Sequence, residues 1–134
     1  MMDVLHIDAT KYTPEIDFNP QTRHLKILGD SRPEDTVGFY QRILLWIDSF
    51  VIGVKQENAD EQVVLTFRLN YFNSISAKYL LAIINKCKPL HAERALLRIE
   101  WLYQSDDEEA KQWGEDLQAI TQLPFDIIPV EEEL

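Results

Sequence analysis

Apolar and polar residues alternate over residues 63–71, and this period of two is typical of a β-strand with one apolar and one polar face. After Phe72 the apolar residues recur at intervals of three and four, as they do in an amphipathic α-helix. The apolar stripe of this helix consists of Ala77, Leu80, Leu81, Ile84 and Cys87. Pro89 lacks a backbone N–H, so we predict that the helix ends there.

A β-hairpin is predicted near the start of the chain. Residues 4–7 are typical of a short edge strand, and residues 11–18 lead into a second strand. Turn-forming residues at 19–22 separate it from residues 23–28, where apolar and polar residues alternate again. Gly, Asp, Ser and Pro then predict a loop over residues 29–35.

A long helix is predicted over residues 36–52, with Asp35 or Ser31 as its N-terminal cap. Its apolar stripe consists of Tyr40, Ile43, Leu44, Ile47, Phe50 and Val51. Leu45 and Ile52 lie on the opposite, polar side of the helix. They are either two isolated surface aliphatics or part of a protein-contact face, and the sequence leaves both interpretations open.

The last third of the chain predicts strand, helix and strand. Residues 88–91 are expected to return the chain to a strand at 96–103. The acidic run 105–109 suits the first turn of a third helix, which Pro124 would end before a last strand at 125–130.

This alternation after an opening hairpin predicts an α/β fold with right-handed crossovers. The strands at 63–71 and 96–103 each have a polar face, so we expect a mixed sheet with helices mainly on one face. We also expect a single domain over residues 1–134, in which 131–134 form a mobile acidic tail.

The formal net charge of −10 argues against binding to nucleic acid or to an anionic membrane, and no cluster of Lys and Arg offsets it. We find neither an N-terminal signal pattern nor an apolar run that approaches the length of a bilayer-spanning helix. The single cysteine, Cys87, lies on an apolar helix face and is expected to be buried and inert. These features predict a cytoplasmic protein.

The residue patterns of known catalytic and metal sites are absent. His6, His24 and His91 are far apart in sequence, and the glycines are too isolated to form a phosphate-binding loop. The acidic run 105–109 lacks the spacing and the turn glycine of a calcium loop. We therefore predict no metal, no cofactor and no enzymatic activity.

The polar junction between the central strand and helix has two interpretations. Asn73, Ser74 and Ser76 can accept hydrogen bonds from the amides of the first helical turn, as helix caps do. A serine hydroxyl at an exposed helix N-terminus is also well placed to carry a phosphate, and Lys78 would be a positive neighbour.

Residues 69–80, which read LNYFNSISAKYL, resemble the signature of the SiaC family of bacterial regulatory phosphoproteins. Members of that family have a tyrosine, an asparagine, a hydroxyl residue and a lysine at this spacing. Segments 13–18, 29–34, 101–103 and 123–125 also resemble the family in order and spacing, so the resemblance covers nearly the whole chain.

The resemblance implies a STAS-like domain controlled by a partner-switching Ser/Thr kinase and phosphatase. The phosphorylated hydroxyl of the family corresponds to Ser74, with Ser76 as the second choice. It implies further that the unphosphorylated protein binds and activates a diguanylate cyclase, which raises cyclic di-GMP and promotes biofilm formation. Ile75 departs from the family, which often has another small hydroxyl residue there.

We expect Tyr71, Asn73, Ser74, Ile75 and Lys78 to form one exposed partner-binding patch. Phosphorylation of Ser74 would expel the partner by like-charge repulsion or desolvation. Two alternatives stay open at this point. One is an anti-sigma-factor antagonist with the same switch and a different partner, and the other is a small acidic enzyme or ligand-binding domain.

Overall fold

The computed structural model describes residues 2–57 and 59–131. Its strands are β1 (Leu5–Ile7), β2 (Glu15–Asn19), β3 (His24–Ser31), β4 (Val63–Phe72), β5 (Leu97–Gln104) and β6 (Phe125–Val130). Its helices are α1 (Thr36–Gln56), α2 (Ser74–Arg94) and α3 (Glu108–Thr121). The predicted α/β fold is confirmed. Of the predicted tail, residues 132–134 lie outside the described residues.

All six strands form one mixed sheet in chain order, β1-β2-β3-β4-β5-β6. The strands β1, β2 and β3 pair antiparallel, as the predicted hairpin requires, whereas β3 to β6 pair parallel. Each parallel pair is joined by one helix. Because such crossovers share one hand and the strands are added in one direction, α1, α2 and α3 lie on the same face of the sheet.

The hydrophobic core lies between that face and the helices. Its fully buried strand residues include Ile16, Phe18, Leu25, Ile27, Leu65, Phe67 and Trp101. The opposite face carries a row of hydrogen-bonded polar side chains, in which Thr66 contacts His24 at 3.0 Å and Glu100 at 3.0 Å. The predicted arrangement, with helices mainly on one face, is therefore confirmed.

The prediction that Pro89 ends the central helix is wrong. Pro89 lies inside α2, which continues to Arg94 and is capped by Ala95 in a left-handed conformation. Residues 88–91 are therefore helical and do not return the chain to a strand. Cys87 and Leu90 are buried on either side of Pro89. The free energy gained by their burial offsets the loss of the one backbone hydrogen bond that proline cannot donate.

The predicted loop over residues 29–35 is shorter than expected, because β3 continues to Ser31. The pairing of β3 with β4 shifts register between Gly29 and Asp30, and Gly29 has a φ of 116° that favours glycine. Asp35 is the cap of α1, accepting a hydrogen bond from the Gly38 amide at 2.9 Å. Ser31 is not a cap, since it lies in the strand.

The helix α1 extends beyond residue 52 to Gln56 and is long and apolar enough, by length and composition alone, to cross a membrane. The expectation that no apolar run approaches this length is therefore wrong. One side of the helix is buried in the core through residues such as Tyr40, Ile43 and Ile47. Leu45 and Ile52 are exposed on the other side, at 60% and 58%.

Candidate functional site

The predicted junction lies at one edge of the sheet, where two neighbouring parallel strands end. β4 ends at Phe72 and α2 begins at Ser74, so a single residue, Asn73, connects them. β3 ends beside it, and the Asn73 amide donates a hydrogen bond of 3.2 Å to the carbonyl oxygen of Ser31. The start of α2 is thus fixed to the neighbouring strand by the backbone itself.

Asn73 is the N-terminal cap of α2. Its side-chain Oδ1 accepts a hydrogen bond of 2.8 Å from the Ser76 amide, and its carbonyl oxygen accepts one of 3.0 Å from the Ala77 amide. The first bond satisfies an amide of the first turn that would otherwise lack a partner, and the second is the first intrahelical bond of α2. The interpretation of Asn73 as a helix cap is confirmed, and it leaves the side chain of Ser74 available.

Ser76 is fully buried and its hydroxyl is bonded on both sides. Its Oγ donates to the Ser31 carbonyl oxygen at 3.0 Å and accepts from the Ser31 Oγ at 2.8 Å. Since the Ser31 hydroxyl proton is used in that bond, the adjacent Tyr40 hydroxyl donates to Ser31 Oγ. Burial raises the pKa of Tyr40, only partly offset by its bonds to the serine hydroxyls, so this chain of hydroxyls stays protonated.

The other predicted site residues lie at the surface around this junction. Ser74 and Lys78 are exposed, Ile75 is 54% exposed and Tyr71 is 49% exposed, whereas Asn73 is half-buried. The structure thus brings the five residues together at the end of β4 and the start of α2.

Strict alternation along β4 would place Tyr71 on the same face as the buried residues Phe67 and Leu69, yet Tyr71 is exposed, as expected for the partner-binding patch. Leu69 pairs with Gly29 and Tyr71 pairs with Asp30, so Asn70 is the extra residue of a bulge. A bulge changes the face to which the following side chains point. Because of it, the buried pattern of β4 ends at Leu69 and Tyr71 becomes exposed.

Two residues that the sequence did not single out join this surface. The guanidinium of Arg32 lies over the Tyr71 ring at 5.3 Å and over the Tyr12 ring at 5.8 Å from the centroids. The Arg32 amide also donates to the Tyr12 carbonyl oxygen at 2.8 Å, which holds the loop before β2 in place. We call these three residues the Tyr12–Arg32–Tyr71 stack. The sequence did not predict this stack, because its three residues are far apart in the chain and only the sheet brings them together.

Three observations bear on whether the protein could be an enzyme or bind a metal. A cleft of about 550 Å³ between the ends of β4 and β5 is lined by polar side chains such as Arg68, Gln104 and Asp106. Among residues 2–57 and 59–131, no three His, Cys, Asp or Glu side chains are grouped so that they could hold a metal ion. Cys87 is buried, and burial raises the pKa of its thiol to about 12, so it is not a reactive thiolate.

Comparisons with known proteins agree with this fold. The chain is 26% identical to an uncharacterized protein of Pseudomonas aeruginosa (strain UCBPP-PA14) over 126 residues, which cover 94% of this chain and 96% of that protein. Apo-SiaC from Pseudomonas aeruginosa has the same fold, with a TM-score of 0.81 and 26% identity, over 95% of this chain and 99% of that one.

A second structure shows SiaC from Pseudomonas aeruginosa in complex with the diguanylate cyclase SiaD, whose activator it is. It matches with a TM-score of 0.83 and 25% identity over 94% of this chain and 99% of that one. The family model of the SiaC family regulatory phosphoproteins matches residues 7–130. The chain therefore belongs to the SiaC family of regulatory phosphoproteins.

Proposed function

We propose that this protein binds and activates a diguanylate cyclase while Ser74 is unphosphorylated and releases it when Ser74 is phosphorylated. The observation that carries the proposal is an exposed serine beside the exposed side chains of Tyr71 and Ile75, in a chain of the SiaC family. The protein acts by binding and has no catalytic activity of its own. It works in the cytoplasm, where cyclic di-GMP raised by the cyclase promotes biofilm formation.

Exposure favours Ser74 over Ser76 as the phosphorylated residue. A kinase must reach the hydroxyl oxygen, and Ser74 presents it at the surface. The Ser76 hydroxyl is fully buried and bonded to Ser31 at both its proton and its oxygen. Phosphorylating it would first require those bonds to break and the start of α2 to open.

The switch is electrostatic. A phosphate on Ser74 adds roughly −1.5 to −2 charges at neutral pH beside two side chains that a partner would otherwise cover. Burying that charge against an apolar partner surface carries a large desolvation penalty, so the complex dissociates. A Ser/Thr kinase and a phosphatase would set the fraction of protein in each state.

The test is to compare cyclase binding and cyclic di-GMP production with wild-type protein, Ser74→Ala and Ser74→Asp. We expect Ser74→Ala to bind like the unphosphorylated wild type and Ser74→Asp to bind at least about tenfold more weakly, since a carboxylate introduces part of the phosphate charge. Lys88→Glu is a control, because Lys88 is exposed near the other end of α2, about 20 Å along the helix from Ser74, and the substitution lowers the net charge there.

Equal binding by Ser74→Ala and Ser74→Asp would contradict the electrostatic switch. Phosphopeptide mapping of the protein from its own cells identifies the modified residue directly. Capture of a sigma-regulating kinase in place of a cyclase by the alanine variant would support the anti-sigma-factor antagonist instead.

A further inference from the structure

The side chain of Arg32 is held at the surface by two aromatic rings. Its guanidinium lies 5.3 Å from the centroid of Tyr71 and 5.8 Å from that of Tyr12, and both tyrosines are about half exposed. Cation–π contacts at exposed positions are weak compared with a charge-assisted hydrogen bond to an anion. The stack therefore orients Arg32 without using up its hydrogen-bond donors.

Several other arginines donate to oxygen atoms. Arg23 donates to Glu57 and to the carbonyl oxygen of Glu61, and Arg98 donates to Asp126 at 2.8 Å. Within the part of the chain that the structure describes, the guanidinium of Arg32 has only aromatic partners. Arg42, which is exposed on α1, has no carboxylate partner there either, so what distinguishes Arg32 is its contact with two rings beside the junction.

Arg32 and Ser74 each follow directly after the last connection between β3 and β4. Ser31 pairs with Phe72, and the Ser31 carbonyl oxygen accepts the hydrogen bond from the Asn73 amide. Arg32 is the residue after Ser31, and Ser74 is the residue after Asn73. The guanidinium lies over Tyr71, three residues before Ser74, so it must turn away from that ring to bind a phosphate on Ser74.

We propose that Arg32 is one cation shared by two anions: an acidic side chain of the cyclase when Ser74 is unphosphorylated, and the phosphate when Ser74 is phosphorylated. This inference rests on the proposed function and adds a mechanism to it. The phosphate repels the partner and also captures the arginine on which the partner depends. The planar guanidinium group can bind either anion, because it donates two parallel hydrogen bonds to a carboxylate or to a phosphate.

The first arm of the test measures capture by the phosphate without any partner. Phosphoserine is incorporated at position 74 during translation, and the ³¹P NMR signal is titrated with pH in wild-type, Arg32→Gln and Lys88→Gln proteins. A nearby cation favours the dianion, so the wild-type midpoint should lie about half a pH unit below that of Arg32→Gln. Lys88→Gln removes the same charge near the other end of α2 and should titrate like the wild type.

The second arm measures cyclase binding by the unphosphorylated proteins. Arg32→Gln should bind about tenfold more weakly than the wild type, and Lys88→Gln should bind as tightly as the wild type. Arg32→Lys keeps the charge and loses the planar fork, so its affinity should fall between the two. All variants retain the backbone hydrogen bond from residue 32 to Tyr12, so the loop before β2 stays in place.

The two arms separate failure of this inference from failure of the proposed function. If the wild-type protein binds no cyclase, the proposed function is wrong, and with it the shared role of Arg32, whatever the phosphate titration shows. If the wild type binds and is released by phosphorylation, equal midpoints in wild-type and Arg32→Gln proteins would overturn capture of Arg32. Unchanged cyclase affinity in Arg32→Gln would overturn the proposal that Arg32 binds an acidic side chain of the cyclase.

Discussion

The arginines at the two ends of the parallel strands have different partners. At the edge where the strands begin, Arg23 is almost fully buried and donates to the Glu61 carbonyl oxygen at 2.6 Å. Arg94 donates there to the carbonyl oxygens of Val54, Glu57 and Ala59. At the edge where the strands end, Arg32 is exposed on tyrosine rings.

This comparison separates residues that hold the fold together from residues available to a partner. Guanidinium groups at the first edge donate to backbone carbonyls at the end of α1 and in its connection to β4. The guanidinium at the second edge satisfies no backbone group. Substitutions at the first edge should therefore change stability, and substitutions at the second should change binding.

The largest stability effect is expected for Arg23→Ala. The substitution removes the donor to the Glu61 carbonyl oxygen and the packed stem of a buried side chain, which should lower the free energy of unfolding by about 2–3 kcal/mol. Urea unfolding measures this loss. Arg42→Ala, on the exposed side of α1, is the matched control and should stay within about 0.5 kcal/mol of the wild type.

Arg23 also has a φ of 58°, a left-handed conformation that strains arginine and alanine alike, so strain does not account for a difference between them. Asparagine tolerates this conformation better but is too short to reach Glu61. Arg23→Asn should therefore be more stable than Arg23→Ala by about 1 kcal/mol and remain less stable than the wild type. Wild-type stability in Arg23→Asn would mean that the hydrogen bond to Glu61 contributes little.

A smaller difference is expected between the two serines of the junction. Ser76→Ala removes the acceptor of the Ser31 hydroxyl and one donor to the Ser31 carbonyl oxygen, and should cost about 1–2 kcal/mol. Ser74→Ala should leave the free energy of unfolding within about 0.5 kcal/mol of the wild type, because its side chain is exposed. Equal losses in urea unfolding would mean that Ser74 also has a structural role.

The smallest expected effect is a pH dependence from His24, at the start of β3. Burial lowers the pKa of the His24 ring, as does the nearby Lys26, although Glu100 and Asp17 act in the opposite direction. The unfolded chain therefore takes up this proton at a higher pH than the folded protein does. The contribution of His24 to stability is fully present above the ordinary pKa range of histidine. It is lost as the pH falls through that range to the lower pKa of the folded protein.

Urea midpoints at neutral and mildly acidic pH test this sign. His24→Gln should reduce the decline on acidification, because the titrating ring is gone. His6→Gln should leave the decline in place: the hydrogen bond to Asp8 raises the pKa of His6, so its own contribution has the opposite sign. An unchanged decline in His24→Gln would exclude His24 as its source.

The predictions from sequence failed where long-range contacts overrule a local signal. Pro89 is a local helix breaker, yet burial of Cys87 and Leu90 in the core carries α2 through it. The loop predicted over residues 29–35 was too long for a related reason, since pairing with β4 keeps β3 extended to Ser31. Neither the burial of α2 in the core nor the pairing of β3 with β4 can be inferred from the local propensity of the residues.

The sequence alone determined the order of strands and helices, the helix-covered face of the sheet and the polar junction at Asn73–Ser76, because periodicity and helix capping act between residues close in sequence. It also carried the family resemblance. Only the tertiary structure decided that Ser76 is buried against Ser31 while Ser74 is exposed, and that the bulge at Asn70 exposes Tyr71. The Tyr12–Arg32–Tyr71 stack depends on the sheet as well, because pairing of strands distant in sequence is what places its members side by side.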